Sequence, residues 1–313
     1  MNPNNKHAPP VNHLNKNSTH SSIPGIKRNE LGYFEATHKP EAAELRKYYA
    51  ENYFQTGQGN YKVKYGQEEL QYIQTKLKQR SAAVRTAGLT TTGSMLDVGC
   101  GEGFALSHFS NQGWQVEGLD YSIAGIEAIN PSFTSFVSIG DVMSLLEQRI
   151  QDGSKYDLVW LSNVLEHSLD PPALLTSLRR IVASTGCLVV TVPNDFSQLQ
   201  TQLLAKGMIQ DAFWINLPDH LAYFDRDSIR RVSEATGWDC AYLLADFPID
   251  WYLLNQASNY VRDRRLGSTA HSARIMLENL LATEPIDKIN AFYAAMAELG
   301  QGRQITAYLR PKI

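Results

Sequence analysis

The run Met95-Leu96-Asp97-Val98-Gly99-Cys100-Gly101-Glu102-Gly103-Phe104 constrains this chain more than any other. An apolar strand passes straight into alternating glycines and then into the start of a helix. Glycine removes the side chain, so the backbone of Gly99 and Gly101 can approach a ligand closely. The helix N-terminus beyond them offers free N–H groups. In an open parallel sheet, ligands sit beyond the carboxyl ends of the strands. Farther on, Gly118-Leu119-Asp120 ends a second strand in a carboxylate that can accept both hydroxyls of a ribose.

The rest of the pattern agrees with that start. Short apolar strands are expected at Met95–Val98, Gln115–Leu119, Ser135–Ile139, Leu158–Leu161 and Cys187–Val192. Helices fall between them at about Phe104–Asn111, Ile123–Asn130, Met143–Ile150 and Pro172–Val182. This alternation predicts an α/β fold, doubly wound around a mostly parallel sheet. A helix at about Asp227–Thr236, a strand at Ala241–Ala245 and a last strand at Gln304–Leu309 complete it. Gln67–Thr86 reads as a long amphipathic helix. The expected organisation is a disordered tail over 1–29, a helical lead and lid over 30–92 and a core over 93–246. A helical insert over 247–303 and a final core strand over 304–313 follow. The tail is rich in Asn, His, Pro, Ser and Lys and cannot bury enough surface to offset its ordering entropy. Its His7, His13 and His20 read as solvated rather than metal-binding.

Composition narrows the partners. With 313 residues and a formal net charge of −3, the chain has no surplus of Lys and Arg to neutralise phosphates, which argues against a nucleic-acid partner. No apolar run reaches the ~18–20 residues that span a bilayer, and no apolar leader suggests export. Cys100, Cys187 and Cys240 form neither a CxxC pair nor a disulfide framework. The expectation is a soluble cytoplasmic protein with reduced thiols. No HExxH or paired-cysteine spacing appears, so no metal is expected.

A dinucleotide fingerprint would need glycine at the third position of GxGxxG, where Phe104 stands, and this disfavours NAD. The ordered segments instead resemble class I S-adenosylmethionine-dependent methyltransferases of the small-molecule branch. Asp97 opens the GxGxG loop of Gly99, Cys100 and Gly101; Asp120 matches the ribose-binding acid, and Tyr121 is placed to lie against the adenine. Gly140-Asp141-Val142 matches the segment whose Asp caps the adenine amino group, and Asp157 to His167, with Asn163, matches the strand-four motif. The resemblance implies a seven-stranded Rossmann-like sheet with an antiparallel last strand, and S-adenosyl-L-methionine as cofactor. The N-terminal helices and the insert would cap the strand ends, with Tyr53 in a Gly-rich segment closing over the cofactor. Asp141 could also merely cap the following helix, and Cys100 fills a small space. Two other classes stay open: an NAD-dependent oxidoreductase, and a cofactor-binding scaffold without activity.

Oxygen is the first choice of attacking atom and an amine nitrogen the second; a hydroxyl acceptor must lose a proton, and histidine is the natural base near neutral pH. His167 follows strand four and His220 lies in Leu217-Pro218-Asp219-His220-Leu221-Ala222-Tyr223-Phe224, on the same rim. On the acceptor side, Tyr223, Trp251, Arg262 and Arg265 are the candidates; aromatics plus arginines suit a phosphorylated or carboxylated molecule. The competing reading makes those arginines a solvated helix face. A looser resemblance to bacterial methyltransferases of surface-polysaccharide and natural-product gene clusters favours a sugar, nucleotide-sugar or secondary metabolite. The assembly is left open between monomer and homodimer.

Overall fold

A computed structural model describes residues 23–41, 43–44 and 65–312. The expected tail up to residue 22 and the lid residue Tyr53 lie outside the described residues.

The elements begin with β1 (Ile26–Arg28), β2 (Phe34–Ala36), α1 (Gln67–Thr86), β3 (Ser94–Val98), α2 (Phe104–Ser110), β4 (Gln115–Asp120) and α3 (Ala124–Ile129). Next come β5 (Val137–Ile139), α4 (Val142–Gln151), β6 (Tyr156–Ser162), α5 (Pro171–Ile181), β7 (Val182–Pro193) and α6 (Gln198–Ala205). The chain continues through β8 (Ala222–Tyr223), α7 (Arg226–Ala235), β9 (Trp238–Ala245), α8 (Gly267–Leu281), α9 (Ile286–Glu298) and β10 (Gln304–Pro311). The main sheet has seven strands in the order β5-β4-β3-β6-β7-β10-β9. β3, β4, β5, β6 and β7 pair in parallel, and β10 runs antiparallel to both β7 and β9.

The central strands are buried on both faces, which is why β3 and β6 read as near-continuous apolar runs, interrupted by Asp97 and Asp157, rather than alternating ones. On one face α4, α5 and α7 contribute Leu146, Leu175, Leu178, Ile229 and Val232. On the other, Leu77 and Val84 of α1, Phe109 of α2 and Tyr293 of α9 pack around Trp160 and Tyr308. α1 carries Glu68 and Glu69 in its first turn and Arg85 in its last, matching the helix dipole. Its buried Lys76 meets Glu278 of α8 at 3.0 Å, which ties the lead to the insert.

Three expectations are corrected. The residues before α1 are not all tail and helix: β1 and β2 form an antiparallel hairpin, and β2 pairs with β8 in a separate three-stranded sheet. This small sheet covers a satellite core of Ile26, Phe196, Trp214, Tyr223 and Leu253. β7 starts at Val182 rather than Cys187, because Val182 pairs in parallel with Tyr156 across a register shift. α6 was not expected; Ser197 and Gln200 form a capping box that fixes its start.

Candidate active site

The loop after β3 takes the conformation its glycines permit. Gly99, Gly101 and Gly103 have φ of 74°, 53° and 72°, all in the left-handed region. The N–H groups of Gly99 and Cys100 donate to the Leu119 carbonyl at 2.8 and 3.2 Å, tying the loop to the end of β4. A Cβ on Gly99 would lie 2.4 Å from Val164 Cγ2, so the loop also packs against the segment after β6. The Asp120 carboxylate accepts the N–H of Gly101 at 2.8 Å and of Ser122 at 3.0 Å. Burial pushes its pKa up, opposed by these backbone bonds. Asp97, 3% exposed, is pushed up to about 8 by burial and by the Asp120 charge. Its carboxylate has no hydrogen-bond partner among the described residues.

A cavity of about 980 Å³ opens on this loop. Asp97, Gly99, Cys100, Gly101, Asp120, Tyr121, Asp141, Val142, Asn163, His167 and His220 all line it. The Tyr121 hydroxyl donates to Asp141 Oδ2 at 3.1 Å. Asp141 Oδ1 accepts the Ser144 N–H at 2.8 Å, so Asp141 caps α4 as well as facing the cavity. Cys100 fits against Gly118, whose Cβ would come within 2.9 Å of its sulfur. Burial raises the thiol well above its ordinary value, which leaves it unreactive.

The two histidines meet beyond β6. Their rings are perpendicular with centroids 4.8 Å apart. His167 Nδ1 lies 2.8 Å from the Asp219 carbonyl oxygen. A carbonyl only accepts, so Nδ1 carries a proton here. Burial disfavours the His167 charge, but Asp219 and Glu166 outweigh it and hold its basicity above the usual imidazole range. His220 goes the other way: burial and the neighbouring His167 push it down to about 4. Glu166, 1% exposed, is pushed up to about 7 by burial, and its Oε2 has no partner. Glu166, His167 and His220 each offer a ligand atom within 4.8 Å of the others, a spacing that a divalent cation could also use.

The substrate-side candidates are not brought to this cavity. Tyr223 is 1% exposed and its hydroxyl donates to the His220 carbonyl at 2.8 Å, so it braces the histidine loop from the core. Trp251 is half exposed, with Nε1 donating to Gln301 at 3.0 Å. Arg265 stands in solvent, paired with Asp263 at 2.7 Å, and Arg262 bonds Asn259 through its backbone. These arginines follow the solvated-face reading. The cavity takes instead Tyr72, Lys76 and Arg80 from α1, Phe213 and Trp214 from the loop after α6, and Arg303 and Gln304 at β10. Gln304 links Arg80, which donates to it at 2.9 Å, to Asn163, which accepts from it at 3.0 Å. No local motif marks these residues; only the spacing of Tyr72, Lys76 and Arg80 on one helical face could have drawn attention.

The residues present fit a cationic amino-acid nucleoside: a cradle without side chains, a carboxylate at the end of β4, and an unpartnered buried carboxylate at Asp97. Fold and site together define a doubly wound α/β transferase of the class I methyltransferase type. Residues 67–243, more than half of the chain, match the methyltransferase-domain family, and the chain belongs to that family. Its cofactor is S-adenosyl-L-methionine. The chain is 31% identical over 100 residues to a ubiquinone biosynthesis O-methyltransferase of Rhodopseudomonas palustris, covering 32% of this chain and 40% of that one. A Serratia proteamaculans protein of the same name is 28% identical over 147 residues, 46% of this chain and 59% of that one. The chain thus spans less than two thirds of the length of these relatives. A solved S-adenosylmethionine-dependent methyltransferase from Archaeoglobus fulgidus aligns with a TM-score of 0.47 and 18% identity, over 76% of this chain and 94% of that one. Among the described residues no helix is long and apolar enough to cross a membrane.

Proposed function

We propose that the chain methylates a hydroxyl group of a small molecule, with the His167–His220 pair taking the hydroxyl proton. The cofactor supplies an electrophilic methyl group on a sulfonium, already activated for transfer. What is left to the chain is alignment, exclusion of water and proton removal. Alignment of this kind can be worth roughly 7–11 kcal/mol, and a placed base about 10²–10⁴ in rate.

Within this reading the residues divide as follows. Asp120, beside the Gly99–Gly101 loop, holds the ribose hydroxyls, Tyr121 and Asp141 take the adenine end, and Asp97 and Asn163 face the amino-acid end. The observation that carries the base is the histidine pair, held perpendicular at the rim of the same cavity. His220 is neutral at physiological pH and keeps a lone pair for the acceptor proton. Its low basicity comes partly from the His167 charge; once His167 is neutral that penalty disappears. The relatives named as ubiquinone biosynthesis O-methyltransferases support oxygen as the attacking atom. A sugar, nucleotide-sugar or secondary metabolite is the acceptor class proposed. The test is a screen of such hydroxylated acceptors with radiolabelled cofactor, using the wild type and His220→Ala. Label transfer by the wild type and not by the variant is expected. Equal transfer by both would remove the histidine base, and transfer to amines alone would remove the hydroxyl.

A further inference from the structure

Arg303 stands immediately ahead of β10 and lines the same cavity as the two histidines. Its backbone is fixed from both sides. The Arg303 N–H donates to Asp246 Oδ1 at 2.7 Å, and its carbonyl accepts the Asn194 N–H at 2.9 Å. Asn194 Nδ2 donates in turn to the carbonyls of Gly300 and Gly302, at 3.1 and 2.9 Å. Gly302, with φ +100°, leaves no room for a side chain, since a Cβ there would lie 2.8 Å from Ala245 Cβ. The turn that delivers Arg303 therefore has one shape.

The side chain is fixed as well. Nη1 donates to Asp195 Oδ1 at 2.7 Å, and the guanidinium carbon sits 5.8 Å from the Phe213 ring centroid. Asp195 is buried, and the Asp250 carboxylate behind it is held by the Tyr260 hydroxyl at 2.8 Å and by Gln200 at 3.1 Å. A guanidinium has five N–H donors. The Asp195 bond is the only one its side chain makes among the described residues, and the side chain keeps 23% of its surface exposed. An arginine present only to neutralise buried acids would turn its fork onto them and be sealed over. This one spends a single nitrogen on Asp195 and lines the cavity that His220 also lines.

We propose that Arg303 is the acceptor-recognition residue, and that the acceptor carries an oxyanion, a carboxylate or phosphate, which the free edge of the guanidinium binds. This rests on the methyltransferase reading of the cavity and narrows its substrate class. The Asp195 contact orients the planar fork and the Phe213 ring lies beside it, in a partly buried setting where a charge-assisted bidentate contact is stronger than in open water. An anion held there places the rest of the acceptor beside the histidine pair.

The test is a calorimetric titration of the full chain, with and without saturating S-adenosylhomocysteine, using benzoate, phenyl phosphate and neutral benzamide. The wild type is expected to bind at least one anion about tenfold or more tighter than benzamide. The tighter of the two anions distinguishes a carboxylate from a phosphate acceptor. Arg303→Gln should abolish the preference and leave S-adenosylhomocysteine affinity unchanged, while Arg303→Lys should retain part of it. Because Arg303→Gln leaves Asp195 buried without its partner, the double variant Arg303→Gln/Asp195→Asn is measured beside it, with the same loss expected. Absence of anion binding or of anion preference in the wild type, or a preference that survives in both Gln variants, overturns the assignment. Cofactor binding without anion preference refutes Arg303 alone, whereas a wild type that binds no S-adenosylhomocysteine refutes the methyltransferase reading itself.

Discussion

Gly99→Ala is a sharp test of how the cofactor loop is built. Two costs are predicted. An L-residue at φ 74° sits in the left-handed region, which costs about 1–2 kcal/mol. The new Cβ also meets Val164 Cγ2 at 2.4 Å, and overpacking of this kind costs typically about 1–3 kcal/mol. Together the loss is about 2–5 kcal/mol by these ranges. Val164 directly precedes Leu165–His167, so pushing it away also displaces His167 from its Asp219 contact. Urea denaturation of Gly99→Ala, Val164→Ala and the double variant separates the two costs. Removing Cγ2 should relieve the clash and leave the backbone strain, so the double variant should recover about 1–3 kcal/mol relative to additivity. Strict additivity, or a Gly99→Ala midpoint equal to that of the wild type, would refute the packing of the loop against Val164.

Further outcomes are expected elsewhere. His220→Ala should lower turnover by about 10²–10⁴ with cofactor affinity intact; a matching loss of cofactor affinity in calorimetry would make the residue structural. Turnover should rise with pH through the titration of His167, which lies above the usual imidazole value, because its charge holds the basicity of His220 down. A pH–rate profile that falls across that range would contradict this coupling. Glu278→Leu leaves Lys76 charged and unpaired in the core, so it should cost about 3–5 kcal/mol, while Lys76→Met/Glu278→Leu should recover most of it in thermal unfolding.

The α1 helix and the strands around the glycine loop were legible because each is written locally. Gln67–Thr86 was expected and found with the same limits, since its buried positions recur at helical spacing. The loop was legible for a related reason: left-handed φ at Gly99, Gly101 and Gly103 demands glycine, and the demand is visible in the sequence. The β1–β2 hairpin was not legible. Its three-residue strands carry no measurable period, and they are held by pairing with β8, far along the chain. The acceptor side failed in the same way. Arg303 gains its place from Asp195, Asn194 and Asp246, none of them near it in sequence. Arg262 and Arg265 draw attention as a cluster of like residues, yet both are exposed and neither lines the cavity, because clustering in sequence says nothing about which way a surface turn faces.

The most direct measurement is a calorimetric titration of S-adenosylmethionine into the wild type and Asp120→Ala, with NADH as the competing ligand. Asp120 sits at the end of β4 with both carboxylate oxygens already ordered by the N–H groups of Gly101 and Ser122, poised for ribose hydroxyls. The wild type should bind S-adenosylmethionine and not NADH. Asp120→Ala should lose at least one charge-assisted hydrogen bond, about 1.5–3 kcal/mol, or roughly ten- to hundredfold in affinity. Equal affinity in the two proteins, or a preference for NADH, would contradict the placement of the cofactor on this loop.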